Sequence, residues 1–147
     1  MLKQRIITAI ILLLALIALT TTAGLGVFAL ITGVLVLIGA WEWGAFAALG
    51  TKSRLAFVAS LALSLLLLAL ALGLGPELRF DTDFALGISL LGILFWGLMV
   101  AAIALYPRAT ESWNDKSRIS VMGMISLLCT WVGLVTLKAM LANGALV

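Results

Sequence analysis

The chain has 147 residues, 65% of them hydrophobic and 10% charged, with a net charge of +3 and a mean hydropathy of +1.30. A water-soluble domain carries about 25% charged residues, so this composition cannot cover a water-facing surface and excludes a soluble globular protein. The positive excess is too small and scattered to imply a nucleic-acid partner. Histidine is absent, which removes the usual general base and the commonest zinc ligand; the single cysteine, Cys129, excludes an intrachain disulfide and reads as a small buried hydrophobe.

A bilayer core about 30 Å thick needs about 20 apolar residues in a helix. Five runs qualify, at about 6–22, 27–49, 55–74, 84–105 and 119–141. They predict an all-α polytopic membrane helix bundle with five transmembrane helices, forming one domain over residues 1–147. The first run follows Lys3 and Arg5 and ends at Thr21-Thr22-Ala23, so it can also be read as a cleaved signal peptide. The next apolar run begins almost at once, and a helical hairpin with a tight glycine-containing turn is the simpler reading. Further along, Gly75-Pro76 and Tyr106-Pro107 are expected to stop helices.

Cations set the expected orientation. With the N-terminus in the cytoplasm, the inner segments hold Lys3, Arg5, Lys52, Arg54, Arg108, Lys116 and Arg118, and the outer ones only Arg79 and Lys138. Seven against two follows the positive-inside rule. Glu77, Asp81 and Asp83 fall in an outer loop.

The second run contains Ala40-Trp41-Glu42-Trp43-Gly44. Glu42 is a carboxylate deep in an apolar stretch, where an ionised group costs about 3 kcal/mol unless shielded, which makes it a candidate intramembrane polar site. Ala40, Gly44 and Ala48 repeat every four residues, a small-residue stripe that admits a close helix neighbour or a second copy of the chain. At 100° per residue Glu42 lies about 200° from Ala40, away from that stripe. It can pair with Lys52 or Arg54, line an inward-facing polar cavity or order a neighbouring helix, or sit there protonated.

The remaining polar groups have plainer readings beside any functional one. Glu77, Asp81 and Asp83 can hold a divalent cation or be solvated loop charge. Glu111 and Asp115, beside Lys116 and Arg118, can rim a site or be interfacial charge. Lys3, Arg5, Lys52 and Arg54 are candidate contacts for anionic lipid headgroups, or orientation signals alone. Trp113 is placed at the inner boundary; Trp96 and Trp131, nearer helix middles, are expected to pack. Phosphate-loop, HExxH and CxxC patterns are absent, so the residues alone give no catalytic assignment and no metal site.

Four stretches together carry a resemblance: Met1-Leu2-Lys3-Gln4-Arg5-Ile6-Ile7-Thr8-Ala9, Ala40-Trp41-Glu42-Trp43-Gly44, Tyr106-Pro107 with Trp113, and Trp131-Val132-Gly133-Leu134-Val135-Thr136-Leu137-Lys138-Ala139. In order and spacing the chain resembles the N-terminal half of the bacterial phosphatidate cytidylyltransferase (CDP-diglyceride synthase) family. That resemblance implies a multi-pass protein of the bacterial inner membrane. It implies an enzyme joining CTP to phosphatidate, giving CDP-diacylglycerol and pyrophosphate in phospholipid synthesis with Mg²⁺ as cofactor. The family's Ser-x-x-Lys-Arg run followed by Lys-Asp is absent, as are the aspartates and lysine-rich loop expected to hold metal and triphosphate. The expectation is therefore a fragment ending before its catalytic half and inactive alone. A non-enzymatic multispanning protein, such as an assembly partner or transporter subunit, is the alternative. Broken helices or inverted halves would favour a transporter; the five continuous runs show neither.

Overall fold

The structure is a computed structural model that describes residues 2–75, 79–104 and 115–142, without the side chains of residues 2–5, 8, 9 and 12. The described residues form five α-helices and no strand: α1 (Leu2–Thr22), α2 (Leu25–Phe46), α3 (Thr51–Ala71), α4 (Thr82–Ala104) and α5 (Lys116–Ala142). Four of them, α2 to α5, are long and apolar enough to cross a membrane; in α1 the comparable stretch is the shorter Leu13–Thr22. With 22 residues, α2 is about 33 Å long, close to the thickness of the hydrocarbon core.

The helix ends have local causes. At the end of α2, Leu49 N–H bonds the Gly44 carbonyl (3.0 Å) and Ala48 N–H bonds that of Ala45 (3.0 Å), the paired bonds of a Schellman turn. Ala48 takes the left-handed position of that turn, at φ 52°. The third member of the Ala40/Gly44/Ala48 stripe thus lies beyond the helix and is exposed, whereas Ala40 and Gly44 are buried. The same turn closes α3: Leu74 N–H bonds the Ala69 carbonyl, Gly73 N–H bonds that of Leu70, and Gly73 has φ 72°. A side chain there would overlap the carbonyl of Arg79. So α3 stops at Ala71, ahead of Gly75-Pro76. Tyr106-Pro107 lies outside the described residues.

α5 is the centre of the bundle, with α2 and α4 packed along it, α3 beside α2, and a smaller contact between α3 and α5. The core draws Val36 and Ala40 from α2, Phe57, Leu61 and Leu65 from α3, and Trp131, Val132 and Val135 from α5. α4 meets α5 where Gly92 faces Cys129. The outward sides of α1, α2, α3 and α4 expose isoleucine, leucine and valine throughout, as helices bathed in lipid do.

Two tryptophans fix the register of α2 on α5. Trp131 of α5 donates its indole N–H to the Ala29 carbonyl of α2 at 3.0 Å. Trp43 of α2 donates to the Ile119 carbonyl of α5 at 2.9 Å. The bonds are 14 residues apart on α2 and 12 on α5, about 21 and 18 Å along each axis, so the helices run antiparallel. Each indole has a socket: Gly33 lies under Trp131, and a side chain at Gly123 would overlap the Trp43 ring. Trp131 is thus a buried packing residue that also donates; Trp96 is half exposed and touches Phe95 edge-on.

Lys138, counted among the outer cations, turns inward. It is only 8% exposed and donates from Nζ to the Thr20 carbonyl at 2.5 Å. The last carbonyls of a helix have no partner within it and carry the negative end of its dipole, so the ammonium of α5 closes the end of α1. A long apolar stem lets the charge reach that carbonyl from inside the bundle.

Candidate functional site

The end of the bundle near Trp43 gathers the end of α2 and the starts of α3 and α5. Here α3 begins at Thr51, four residues before the expected span, because extended Gly50 serves as its N-cap and accepts the Arg54 N–H at 2.9 Å. Lys52 and Arg54 are therefore in the first turn of a helix. Arg54 folds back over α2: Nε donates to the Trp41 carbonyl at 2.6 Å, and the guanidinium stands 4.0 Å from the centroid of the Trp41 ring. Its stem crosses Gly44, where a Cβ would come within 2.5 Å of Cγ. Arginine suits this place because its planar, weakly hydrated head stacks on an aromatic face while donating.

Glu42 is exposed, on the side of α2 away from buried Ala40. Among the described residues no ion pair joins it to Lys52 or Arg54, and Arg54 is held by Trp41 instead. Lys52 is exposed. The side chains of Lys3 and Arg5, and residues Glu77, Arg108, Glu111 and Trp113, lie outside the described residues. The structure thus brings Trp41, Gly44 and Arg54 together and seats Trp43 on α5; it does not bring Glu42 to Lys52 or Arg54.

The other described carboxylates have local work. Asp81 Oδ1 accepts the Phe84 N–H at 2.9 Å and caps α4; Asp115 Oδ2 accepts the Ser117 N–H at 3.2 Å and caps α5. Asp83 lies in the first turn of α4, where a negative charge meets the positive end of the dipole. An Asp three residues before an apolar run is the sequence signal for such a cap, and it identifies Asp81 without any metal. Among the described residues no three of His, Cys, Asp or Glu gather as metal ligands.

Sequence reasoning missed a cleft of about 430 Å³ between the starts of α3 and α5, lined by Leu49, Ser53, Phe57, Ser60, Lys116 and Ser120, together with Ala56 and Ser117. Four hydroxyls and an ammonium sit over an apolar floor. Serines seven apart on α3 (53 and 60) and three apart on α5 (117 and 120) are a weak signal until the two helices are placed side by side. Two other clefts are apolar: about 280 Å³ between α2 and α3, and about 490 Å³ between α4 and α5. The hydroxyls in the latter, Ser89, Thr130 and Thr136, each donate to a carbonyl of their own helix at 2.7–2.8 Å.

Residues 3–146 match the cytidylyltransferase family. The chain is 38% identical over its whole length to a phosphatidate cytidylyltransferase of Pseudomonas aeruginosa, of which it covers 51%. It is 27% identical over 90% of its length to a phosphatidate cytidylyltransferase of Haemophilus influenzae, of which it covers 46%. The chain spans about half the length of these curated relatives. No solved structure matches it. With nearly every residue inside the match, the chain belongs to the cytidylyltransferase family.

Proposed function

We propose that this chain is the N-terminal membrane part of a CTP:phosphatidate cytidylyltransferase. The observation that carries the reading is the match of residues 3–146 to the family, with 38% identity to a phosphatidate cytidylyltransferase along the whole chain. In the reaction, a phosphate oxygen of phosphatidate attacks the α-phosphorus of CTP. The bond from that phosphorus to the bridging oxygen breaks, pyrophosphate leaves with the electron pair, and CDP-diacylglycerol remains. The groups that drive this step are assigned to the half of the relatives' length that the chain does not cover. Mg²⁺ is assigned there too. The helices described above scaffold that half and present the lipid.

The chain is further proposed to form one transmembrane domain of the bacterial inner membrane, with α1 as a fifth span and the N-terminus in the cytoplasm. The Trp43 end is then cytoplasmic, which the cations Lys52, Arg54, Lys116 and Arg118 support. A homodimer would use the exposed faces of the outer helices, since Ala40 and Gly44 are covered within the chain. Cysteine labelling at position 53 from the cytoplasmic side only, and at position 83 from the opposite side only, is the expected topology result.

The activity test is CTP incorporation into lipid by membranes holding this chain, alone and with the C-terminal half of the Pseudomonas aeruginosa relative. Activity only with both halves is expected. Activity in neither, with both halves folded in the membrane, would overturn the reading in favour of a non-enzymatic assembly or transport subunit. Activity from the chain alone would overturn the assignment of catalysis to the other half, and Glu42, Glu111 and Asp115 would be the first residues to mutate.

A further inference from the structure

The cleft between the starts of α3 and α5 differs from the two apolar clefts described above by the chemistry of its wall. Lys116 and Ser117 come from the first turn of α5, Ser120 from the next, and Ser53 from the first turn of α3. Ser60 and Ser120 donate to the carbonyls of Phe57 and Lys116, at 2.8 Å each. Among the described residues the hydroxyls of Ser53 and Ser117 and the Lys116 ammonium have no such bond, so the cleft keeps two hydroxyl donors and a cation. The two helices run parallel here; the start of α5 is met by the Asp115 carboxylate, and that of α3 turns the positive end of its dipole to this side. No side chain caps α3, so the first amides of its opening turn add further donors. Half-buried Leu49 and buried Phe57 give the cleft an apolar floor. A cationic, donor-rich rim above an apolar floor, at the end of two membrane-length helices, matches a molecule that is anionic at one end and apolar at the other.

We propose that this cleft binds a phosphate monoester, supplied by the headgroup of phosphatidate, with Lys116 and the hydroxyls of Ser53 and Ser117 on the phosphate and the first acyl carbons against Leu49 and Phe57. A phosphate monoester carries about −1.5 to −2 charges at neutral pH and three strong acceptor oxygens, which matches one ammonium, two hydroxyls and the uncapped start of α3. A phosphodiester headgroup has a single charge and a substituent on one of those oxygens. The other source of the same chemistry is the terminal phosphate of CTP, which lacks the apolar part that the floor accommodates. The choice of phosphatidate among anionic lipids rests on the function proposed above; the cleft and its donors do not.

The test titrates the detergent-purified full chain with phosphatidate, with phosphatidylglycerol and with CTP, and counts bound ligand by native mass spectrometry. Binding is read without turnover, so it stands or falls separately from the transfer activity. Phosphatidate is expected to bind more tightly than phosphatidylglycerol. Lys116→Gln is expected to weaken phosphatidate by about tenfold, the size of one hydrogen bond to a charged group, and Lys116→Arg to retain most of the affinity. The paired change Ser53→Ala with Ser117→Ala gives an independent loss with no change of charge. Lys52→Gln removes the same charge at the same end but outside the cleft and is expected to cost less. Equal losses from Lys52→Gln and Lys116→Gln would reduce the effect to diffuse attraction and overturn the site. Equal binding of phosphatidylglycerol would overturn the monoester assignment, and CTP binding that depends on Lys116 while phosphatidate binding does not would overturn the lipid as its source.

Discussion

Trp43 and Trp131 each donate an indole N–H across the α2–α5 seam, over a glycine, to a carbonyl of the other helix, yet their surroundings differ. Around Trp131 the polar groups are buried and paired: Thr32 and Thr136 donate to carbonyls one turn back, and Lys138 closes α1. Around Trp43 the polarity is divided: Arg54 is held on Trp41, but Glu42 and Lys52 are exposed, and the serine-lined cleft opens beside them. One end of the seam uses its polarity to hold helices together, and the other, beyond Arg54, keeps part of its polarity exposed. In a bilayer both indole bonds hold because an unpaired N–H or carbonyl has no water to turn to, so the difference lies in the charged groups and hydroxyls.

The largest expected effect strikes the Trp43 end. Gly123→Leu places a side chain in the volume of the Trp43 indole and is expected to destabilise the bundle by about 3 kcal/mol, read as an earlier midpoint in SDS titration. An unchanged midpoint would mean that Trp43 is not seated against α5. Next, Lys138→Met leaves the Thr20 carbonyl without its donor and is expected to cost about 2 kcal/mol. The loss should be confined to α1, visible as faster amide exchange in residues 13–22 with α2 and α5 unaffected. Exchange rising equally in all helices would show that Lys138 supports the whole core rather than one helix end.

The pair Trp131→Phe and Trp43→Phe tests the comparison itself. Each keeps an aromatic ring and loses one N–H. Hydrogen bonds between membrane helices contribute about 0.6 kcal/mol on average and up to about 1.7. The buried Trp131 is expected near 1 kcal/mol and the half-buried Trp43 near the average. Equal losses would dissolve the distinction between a dry and a wet end. The smallest effect is a gain. Ala48 and Gly73 occupy the same left-handed position in matching turns at opposite ends. Ala48→Gly removes the steric cost of an L side chain there, offset by the greater freedom of glycine in the unfolded chain, for a net stabilisation of about 0.5 kcal/mol. A loss of stability would show that the Ala48 methyl makes a contact that outweighs its strain.

The helix count and the approximate limits of α2 to α5 were legible in the residues, since the length of an apolar run is set by a fixed membrane thickness. The boundaries moved where a turn, rather than hydropathy, ended the helix. Gly50 drew Lys52 and Arg54 into α3, and Ala48 left α2. The face of Glu42 opposite Ala40 followed from helical geometry alone, but the partner of Arg54 did not, because an aromatic face and a carboxylate both satisfy a guanidinium. The partner of Lys138, counted among the outer cations, was not legible for a similar reason: a long stem can reach outward to water or inward to a helix end.

By itself the sequence determined that the chain is helical and lives in lipid, how long its spans are, and, through a match covering nearly all its residues, which family it belongs to. Only the tertiary structure decided which side of each helix is inside. These helices are apolar on every face, so hydrophobic periodicity holds no information about burial; in lipid, facing a neighbour and facing the solvent make the same demand on a leucine. What breaks that symmetry is local and three-dimensional: a glycine beneath an indole, a carbonyl within reach of an N–H, a lysine beside a helix end. The cleft between α3 and α5 exists only through that arrangement, since Ser53 and Lys116 are separated by 63 positions in the chain and meet only when the two helices run parallel.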